Sequence, residues 1–510
     1  MEKEQLLKLQ NGSDIRGVAL EGVAGEGVTL TEEACIQIGA GFAAWLAQKT
    51  GRPPQSLAVG IGRDSRISGP ALAAAVEKGV ASSGARIVRC GMATTPALFM
   101  STVFPETNFD GAVMITASHL PFNRNGVKLF DRNGGLEHED IADILERAAA
   151  YAPDAAGTAA PPAAGSFDLI SRYAEHLKSA ICGALGADAA EQPLSGLKIV
   201  VDAGNGSGGF FAEAVLAPLG ADTAGSQFLE PDGSFPNHIP NPENKAAMES
   251  VRGAVLTNAA DLGLIFDTDV DRMSAVLADG SEVNRDAIIA MIAAILAPEC
   301  PGATIVTDSV TSDRLTRFLE QELGLHHLRY MRGYKNVINK CIELNKNGTV
   351  CPLAMETSGH GALKDNYYLD DGAFLAVKLV VALAQTRRNG RTIGSLIEKL
   401  PPPVEEGEYR LKIKGGGFKE YGAAVLEEFR RRAHGRGLEL PESYEGVRIS
   451  LKDGGAQGWI LLRMSLHDPV MPMNIEGARR GDLAKLVELA KSLTAGFDRL
   501  DASCLDGQPA

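Results

Sequence analysis

The fold is decided by residues 262–272, LGLIFDTDVDR, where a continuous apolar run ends in a loop of alternating aspartates. Apolar runs of this length are typical of strands buried on both faces. The same design recurs in LAVGIGRDSR (57–66), GAVMITASH (111–119), LKIVVDAGNG (197–206) and ATIVTDS (303–309). Helix-period segments such as ALAAAVEKGVASSG (71–84) lie between these runs. The pattern therefore predicts alternating strands and helices around mostly parallel sheets.

The length of the chain indicates several domains. At about 150 residues per domain, 510 residues correspond to three or four domains. Residues 152–166 are small and Pro-rich, and three consecutive prolines follow Leu400. Because a helix interior does not accept three prolines, the stretch that begins at Leu400 is a candidate domain boundary. Beyond Leu400, the alternation in YRLKIKGG, VRISLKDGG and WILLRMSLHD predicts a smaller antiparallel sheet with helices, which is an α+β domain.

Charge and composition exclude several classes of partner. Lys and Arg number 50 against 64 Asp and Glu, a net charge of −14, which is unfavourable for binding nucleic acid. The longest apolar stretch, 287–297, is too short to cross a membrane and is expected to form a buried helix. Seven scattered cysteines without C-x-x-C spacing favour a reducing compartment. We expect a cytoplasmic location, or the chloroplast stroma if a transit peptide has been removed.

The aspartate loop is the first candidate for chemistry. Asp267, Asp269 and Asp271 bring three carboxylates together directly after a buried run. Such groups repel one another unless a cation neutralises them, and Mg²⁺ is the common cation bound by a few carboxylates and a phosphate. A solvated acidic turn is the alternative interpretation, and from this loop alone the two are equally supported.

Two further loops follow apolar runs. In ITASHLPFNRNGVKLF (115–130), Ser118 precedes His119, but adjacent residues in an extended loop point apart and do not form a nucleophile and base pair. In AMETSGHGALKDNYYLDDG (354–372), Glu356, Ser358 and His360 occupy alternate positions and suit the hydroxyls of a sugar. Ordinary polar turns remain an alternative for both loops.

A last polar loop lies in the terminal domain. LLRMSLHDP offers Arg463, Ser465 and His467 after an apolar strand, and three such donors are compatible with a phosphate dianion.

One glycine motif points elsewhere. Gly204, Gly206 and Gly209 form G-x-G-x-x-G between a predicted strand and helix, with Glu230 about 20 residues on, as in a dinucleotide site. However, Asp202 places a carboxylate at the strand end, close to where a pyrophosphate would lie. Nucleotide binding is therefore disfavoured.

Taken in order, the loops resemble those of one family. SDIRG (13–17), GRDSRISGP (62–70), TASHLPFNRNGVK, DAGNGSGG, PDGSFPNHIPNPE, DLGLIFDTDVDR, METSGH and LRMSLHDP are similar to the motifs of the α-D-phosphohexomutase superfamily, the phosphoglucomutases and phosphomannomutases. The resemblance implies three similar mixed-sheet α/β domains and a smaller C-terminal α+β domain around a central cleft. We expect these domains at 1–190 with the phosphoserine loop, 191–300 with the metal loop, 301–400 with the sugar loop and 401–510 with the phosphate loop.

The resemblance also implies roles for the loop residues. Ser118 would carry a phosphoryl group, and Mg²⁺ would be held by that group with Asp267, Asp269 and Asp271. Charged groups would surround the transferring phosphoryl group or assist proton transfer, and these are Arg16, Lys128, Arg272 and His360. Sugar hydroxyls would be held by Glu356 and Ser358. The other phosphate would be bound by Arg463, Ser465 and His467.

The implied activity is that of an isomerase of carbohydrate metabolism. Phosphoserine would donate its phosphoryl group to a hexose 1-phosphate or 6-phosphate, of glucose or mannose, and so form a hexose 1,6-bisphosphate. The bisphosphate would then turn end for end and return its opposite phosphoryl group to the serine. Hexose 1,6-bisphosphate would also act as activator. The expected partner is a small phosphosugar, with no nucleic acid or membrane, and the expected assembly is a monomer or dimer.

Departures from the family pattern leave alternatives open. Leu120 and Thr268 replace the usual Asn and Gly, and the last motif has Leu466 and His467 where Gly and Thr are usual. Loss of that glycine changes the accessible backbone angles. A phosphoglucosamine mutase is the alternative within the family. A sugar-phosphate-binding protein with little catalysis and a Mg²⁺-dependent phosphatase are the alternatives of other classes.

Overall fold

The chain divides into two compact units. The computed structural model describes residues 1–151, 164–452, 455–465 and 468–507. One unit comprises Met1–Asn284 with Ser358–Ser395, and the other comprises Arg285–Thr357 with Leu396–Ala510. The Pro-rich segment 152–166 lies mostly outside the described residues. In the part of the chain that the structure describes, no helix combines the length and the apolar character that crossing a membrane requires.

The first α/β domain is built on a mixed sheet with the strand order β1-β2-β6-β5-β3-β4-β8, and β7 pairs with β6. Strand β3 runs parallel to β4 and β5, whereas β6 runs antiparallel to β5 and β2. The predicted strands at 57–66 and 111–119 are confirmed as β3 and β5. The elements are α1 (Lys3–Leu7), β1 (Gln10–Asn11), β2 (Asp14–Val18), α2 (Glu32–Thr50), β3 (Ala58–Arg63), α3 (Gly69–Ser82), β4 (Arg86–Met92), α4 (Thr95–Met100), β5 (Gly111–Ile115), β6 (Arg124–Asp131), β7 (Gly134–Gly135), α5 (His138–Ala149), β8 (Gly165–Ser166) and α6 (Leu169–Leu185).

The second α/β domain carries the aspartate loop between β10 and β11. Its sheet has the order β12-β11-β10-β9, with β9 parallel to β10 and the other pairs antiparallel. Both predicted apolar runs, at 197–206 and 262–272, form strands here. The elements are β9 (Ile199–Asp202), α7 (Lys245–Asn258), β10 (Leu262–Phe266), β11 (Met273–Leu277) and β12 (Glu282–Val283).

The long segment between β9 and α7 folds around a buried carboxylate. Asp202 accepts hydrogen bonds from Gly204 N at 2.9 Å and Gln227 Nε2 at 2.7 Å, and its Oδ1 lies 3.0 Å from His238 Nε2. Its side chain is fully buried. These contacts hold residues 203–244 in place without regular strands.

The third α/β domain has elements in both units. Strands β14, β13 and β15 run parallel in the second unit, and β16 and β17 form an antiparallel pair in the first unit with α11. The apolar stretch at 287–297 forms a buried helix, as predicted. The elements are α8 (Asp286–Leu296), β13 (Thr304–Thr307), α9 (Asp313–Arg317), β14 (His326–Arg329), α10 (Tyr334–Lys346), β15 (Leu353–Met355), β16 (Gly361–Leu363), β17 (Leu369–Asp370) and α11 (Gly372–Arg388).

The terminal domain is a sheet with the order β19-β20-β21-β18-β22, in which every pair is antiparallel. Its core includes Phe429 of α12 and Leu486 of α13, both fully buried. Three α/β domains with mixed sheets and a sheet-rich fourth domain confirm the predicted fold class. The elements are β18 (Glu405–Ile413), α12 (Phe418–Gly435), β19 (Val447–Leu451), β20 (Gly458–Leu462), β21 (Val470–Gly477), α13 (Asp482–Thr494) and β22 (Leu500–Asp501).

Candidate active site

The loop after β5 places Ser118 against the aspartate loop. Ser118 is buried, and its φ of +50° lies in the left-handed region, which residues other than glycine seldom adopt. Its hydroxyl donates to Asp267 Oδ2 at 2.6 Å and lies 3.4 Å from His119 Nδ1. The expectation that Ser118 and His119 point apart is therefore wrong, because the left-handed turn bends the loop away from extended geometry. Burial, with the charges of Arg272 and Arg16, lowers the pKa of His119 to about 2, so that its ring is neutral.

A buried arginine, Arg66, holds the loop that carries Ser118. No role was predicted for it from the sequence. Arg66 is fully buried, and its two terminal nitrogens donate to four backbone carbonyls of the serine loop. Nη1 reaches Pro121 O at 2.8 Å and Arg124 O at 2.9 Å, while Nη2 reaches Leu120 O at 2.6 Å and also Ser118 O. A planar guanidinium presents several donors in fixed directions, which suits a curved row of carbonyls. Arg66 thus positions the backbone that carries Ser118.

We expect Arg66→Lys to lower kcat by about ten- to a hundredfold with a smaller change in KM, because an ammonium cannot bond all four carbonyls and the serine hydroxyl loses its fixed direction. Steady-state kinetics with thermal unfolding of the same samples would measure this. Arg63→Lys in the same motif is the matched control, since Arg63 donates to its neighbour Asp64 O at 3.1 Å and not to the carbonyls of the serine loop. An unchanged kcat for Arg66→Lys in a folded protein would show that the loop does not need this clamp.

The aspartate loop is buried and crowded with negative charge. Asp267, Asp269 and Asp271 each expose at most 1% of their surface, and they offer ligand atoms that lie within 4.8 Å of one another. Burial and the charges of Asp271 and Asp269 raise the pKa of Asp267 well above its usual range. Among the described residues, no donor reaches the buried Oδ1 of Asp269. A hard divalent cation fits this donor set, because it would satisfy the orphaned oxygen and relieve the repulsion.

Cationic side chains surround the aspartates. Lys128 Nζ donates to Asp271 Oδ2 and lies 3.7 Å from Asp269 Oδ2. Arg272 donates its backbone N–H to Asp267 Oδ1 at 3.2 Å. Although burial opposes ionisation, Lys128, His360 and Arg272 hold the pKa of Asp271 well below its usual range. The site therefore mixes ionised groups of both signs in a buried environment.

His360 and Arg16 lie at the edge of this cluster. Nδ1 of His360 lies 3.0 Å from Ser358 Oγ, and Nε2 lies 3.6 Å from Asp370 Oδ2. Burial and Arg272 act against a proton on the ring, but the carboxylates of Asp370 and Asp271 outweigh them and raise the pKa of His360 to about 10. Asp370 was not predicted. It is the last residue of the short strand β17 and has no sequence motif of its own.

Arg16 lies on β2, opposite Gly126 of β6, and donates to Asp14 Oδ2 at 2.9 Å. Its charge acts on both His119 and Arg66, which places it in the electrostatic environment of the serine loop.

Two neighbouring segments hold the aspartate loop in place through hydrogen bonds to its backbone and side chains. Thr95 donates its backbone N–H to Asp269 O at 2.9 Å and its hydroxyl to Asp269 Oδ2. Ser207 N donates to Thr268 O at 2.8 Å, and a Cβ at Gly206 would lie only 2.7 Å from that oxygen. The G-x-G-x-x-G motif therefore lets its own backbone approach the backbone of the aspartate loop at Thr268. This contact, rather than a pyrophosphate, explains its central glycine.

We expect Gly206→Ala to weaken metal activation, raising the Mg²⁺ concentration for half-maximal activity by about tenfold, because the added methyl group displaces the aspartate loop. A magnesium titration of activity would measure this. Gly253→Ala is the control, since Gly253 lies in α7 of the same domain and nothing lies within 4 Å of a Cβ added there. Identical titration curves for the two variants would contradict the supporting role.

Three further predicted site residues, Glu356, Arg463 and Ser465, belong to the second unit. Glu356 is buried and accepts from Gly333 N at 2.6 Å. Burial and the charge of Glu356 raise the pKa of Asp308 to about 7. Arg463 exposes 8% of its surface. Ser465 Oγ accepts from Asp468 N at 3.2 Å.

The two other predicted residues, His467 and Ser358, are not in the described part of the second unit. His467 lies outside the described residues. Ser358 belongs to the first unit, although it is only two residues from Glu356.

Comparison with known proteins identifies relatives along most of the chain. Models described as phosphoglucomutase/phosphomannomutase, alpha/beta/alpha domains I, II and III, match residues 7–153, 171–280 and 284–404. A phosphomannomutase/phosphoglucomutase of Pseudomonas putida is 30% identical over 94% of this chain and 94% of its own length. A phosphoglucosamine mutase of Saccharopolyspora erythraea is 32% identical over 78% of this chain and 86% of its own. The crystal structure of a phosphoglucomutase/phosphomannomutase family protein from Burkholderia thailandensis superposes with a TM-score of 0.77 at 27% identity, covering 97% of this chain and 99% of that one.

Proposed function

We propose that this chain, which belongs to the phosphoglucomutase/phosphomannomutase family and is a phosphohexomutase, interconverts the 1-phosphates and 6-phosphates of glucose, mannose or both through a phosphoserine at Ser118. Such an enzyme is an intramolecular phosphotransferase. The observation that carries the proposal is the 2.6 Å contact between the Ser118 hydroxyl and Asp267 within the buried aspartate loop. A serine in this position can hold a phosphoryl group beside a bound cation.

The role proposed for Ser118 is that of phosphoryl carrier. In the first half-reaction the Ser118 Oγ–P bond breaks, a P–O bond forms to the hydroxyl oxygen of the hexose monophosphate, and the proton of that hydroxyl ends on Ser118 Oγ. In the second half-reaction the other phosphoryl group of the bisphosphate moves to Ser118 Oγ, and the serine proton ends on the sugar oxygen that this group leaves. Arg66 holds the loop carbonyls throughout, so that Oγ keeps one direction in both halves.

The proposed metal ligands are Asp267, Asp269 and Asp271. Mg²⁺ bound there would neutralise charge on the transferring phosphoryl oxygens. Lys128 and Arg272, which already contact these aspartates, supply further positive charge on the same side. The three carboxylates thus come to lie next to a phosphate without net repulsion.

Proton transfer to and from the sugar hydroxyl is assigned to His360, with Arg16 stabilising charge nearby. The two carboxylates beside His360 favour its protonated form, which suits an acid that returns a proton to the leaving sugar oxygen. Ser358, 3.0 Å from the ring, fixes its orientation. Loss of the imidazole should therefore lower kcat more than it raises KM.

Substrate recognition is assigned to five further residues. Glu356 and Ser358 bind sugar hydroxyls, and Arg463, Ser465 and His467 bind the phosphate that is not transferred. Hexose 1,6-bisphosphate serves as activator because it can phosphorylate Ser118 directly. We further propose that the enzyme acts as a monomer or dimer in the cytoplasm. The relatives from Pseudomonas and Saccharopolyspora are bacterial and give no support to the chloroplast alternative.

A coupled assay with glucose 1-phosphate and mannose 1-phosphate, with a trace of the bisphosphate, tests the proposal. Turnover of at least one sugar is expected. No turnover of either, in protein confirmed to carry phosphate on Ser118, would contradict it. Glucosamine 1-phosphate belongs in the same panel, because the Saccharopolyspora relative is a phosphoglucosamine mutase, and preferential turnover of that sugar would reassign the substrate.

A further inference from the structure

Glu445 of the terminal domain reaches into the region assigned to the non-transferred phosphate. Its Oε2 accepts from Ser309 Oγ at 2.6 Å and from Arg332 N at 3.0 Å, and its Oε1 lies 3.8 Å from Arg463 Nη1. The Glu445 side chain is 18% exposed and that of Arg463 is 10% exposed. One carboxylate thus joins loops that follow β13 and β14 to the arginine that follows β20.

The backbone fixes Glu445 in this position. The next residue, Gly446, has a φ of +66°, and a Cβ there would lie 2.2 Å from Leu462 O and 2.9 Å from Arg463 Cα. Ser443 Oγ donates to Glu445 O at 2.7 Å. The segment therefore lies tightly against the strand that delivers Arg463, and the carboxylate cannot drift far from the guanidinium.

Glu445 is the strongest of the carboxylates that act on Arg463, ahead of Glu408 and Asp308. Its Nε is buried, and among the described residues it has no hydrogen-bond acceptor. Burial and the charge of Arg332 lower the pKa of Arg463, while Glu445 is the first of the anions that oppose this. A buried guanidinium with an orphaned donor is suited to receive an anion.

We propose that Glu445 is an internal carboxylate that pairs with Arg463 when no phosphosugar is bound, and that it competes with the non-transferred phosphate for this arginine. The inference rests on the proposed function, in which Arg463 binds that phosphate. Glu445 weakens phosphate binding by charge repulsion and so favours release. Release matters in this reaction, because the bisphosphate must leave its first orientation before it can turn.

The size of the effect follows from simple electrostatics. A full negative charge a few ångströms from a bound dianion, partly screened by solvent, changes affinity by roughly three- to thirtyfold. Glu445→Gln removes that charge, keeps the shape of the side chain and keeps an oxygen that can accept from Ser309 Oγ. The variant should therefore bind phosphate more tightly.

Calorimetric titration of the full-length, dephosphorylated protein with inorganic phosphate tests the inference. For Glu445→Gln we expect a dissociation constant roughly tenfold lower than that of the wild type, with a parallel decrease in KM for glucose 1-phosphate. In an Arg463→Ala background, Glu445→Gln should give no gain. An unchanged or larger dissociation constant, or a gain that survives in the Arg463→Ala background, would overturn the inference.

Controls separate charge from fold. Glu439→Gln removes one charge from the same segment, where Glu439 pairs with exposed Lys452, and should leave phosphate binding unchanged. If Glu445→Gln does not fold, Glu445→Asp withdraws the carboxylate by one methylene and should give a smaller gain of the same sign, whereas no gain would overturn the inference.

The same measurements keep this inference separate from the mutase proposal. A protein that shows the Glu445 effect without turning over hexose phosphates contradicts the mutase proposal alone. An active mutase whose Glu445→Gln variant binds phosphate no more tightly contradicts this inference alone.

Discussion

Ser118→Ala should lower the rate of interconversion of hexose 1-phosphate and 6-phosphate by at least about a thousandfold, because the proposed phosphoryl carrier between the two halves of the reaction is lost. The fold should persist, since the substitution removes the hydrogen bond to Asp267 Oδ2 and the 3.4 Å contact with His119 Nδ1 but no apolar packing. The coupled assay measures the rate, and thermal unfolding monitors the fold.

The matched control is Ser82→Ala. The Ser82 hydroxyl donates to Gly79 O within α3 and has no contact with the candidate site, so this variant should keep full activity. Residual activity of Ser118→Ala above about a tenth of the wild-type rate would contradict the role of phosphoryl carrier.

Asp267→Asn should have two effects of opposite sign. Activity should fall by at least about a hundredfold, because the metal site loses a charged ligand. In the presence of a chelator, however, the melting temperature should rise by about 2–6 °C. The reason is that ionised Asp267 is repelled by Asp271 and Asp269, which raise its pKa, whereas the amide oxygen can still accept from Ser118.

Both effects can be measured on one preparation, by the coupled assay with Mg²⁺ and by calorimetric melting with a chelator. Asp279→Asn is the control, since Asp279 is exposed and accepts a hydrogen bond from Ser281 N within its own turn. A lower melting temperature for metal-free Asp267→Asn would contradict the view that the cation relieves repulsion between the aspartates.

Features encoded in short stretches of sequence were predictable. The apolar runs before Ser118 and Asp267 each form a buried strand, and the polar groups follow directly at the strand ends. Because ligands of open α/β sheets bind beyond the carboxyl ends of the strands, the residues that follow β5 and β10 could be identified without coordinates, although the two strands belong to different sheets. Ordered motifs then supplied the family, which no single loop could.

Features that depend on contacts between distant segments were not predictable. Arg66 belongs to a motif that the sequence analysis quoted, but its acceptors lie in the loop 52 to 58 residues further along the chain. Glu445 belongs to no sequence motif, and it accepts a hydrogen bond from Ser309, which lies 136 residues earlier in the chain. The left-handed turn at Ser118 was also missed, because residues other than glycine give no local signal of it.

The central claim is that Ser118 exchanges a phosphoryl group with the sugar. It is tested most directly by mass spectrometry of the intact protein, with peptide mapping, before and after a single turnover with excess hexose monophosphate. The account predicts one phosphoryl group on Ser118 after treatment with hexose 1,6-bisphosphate, lost to the monophosphate and regained from the bisphosphate. An active protein that carries no phosphate on Ser118 at any stage, or carries it on another residue, would contradict the account.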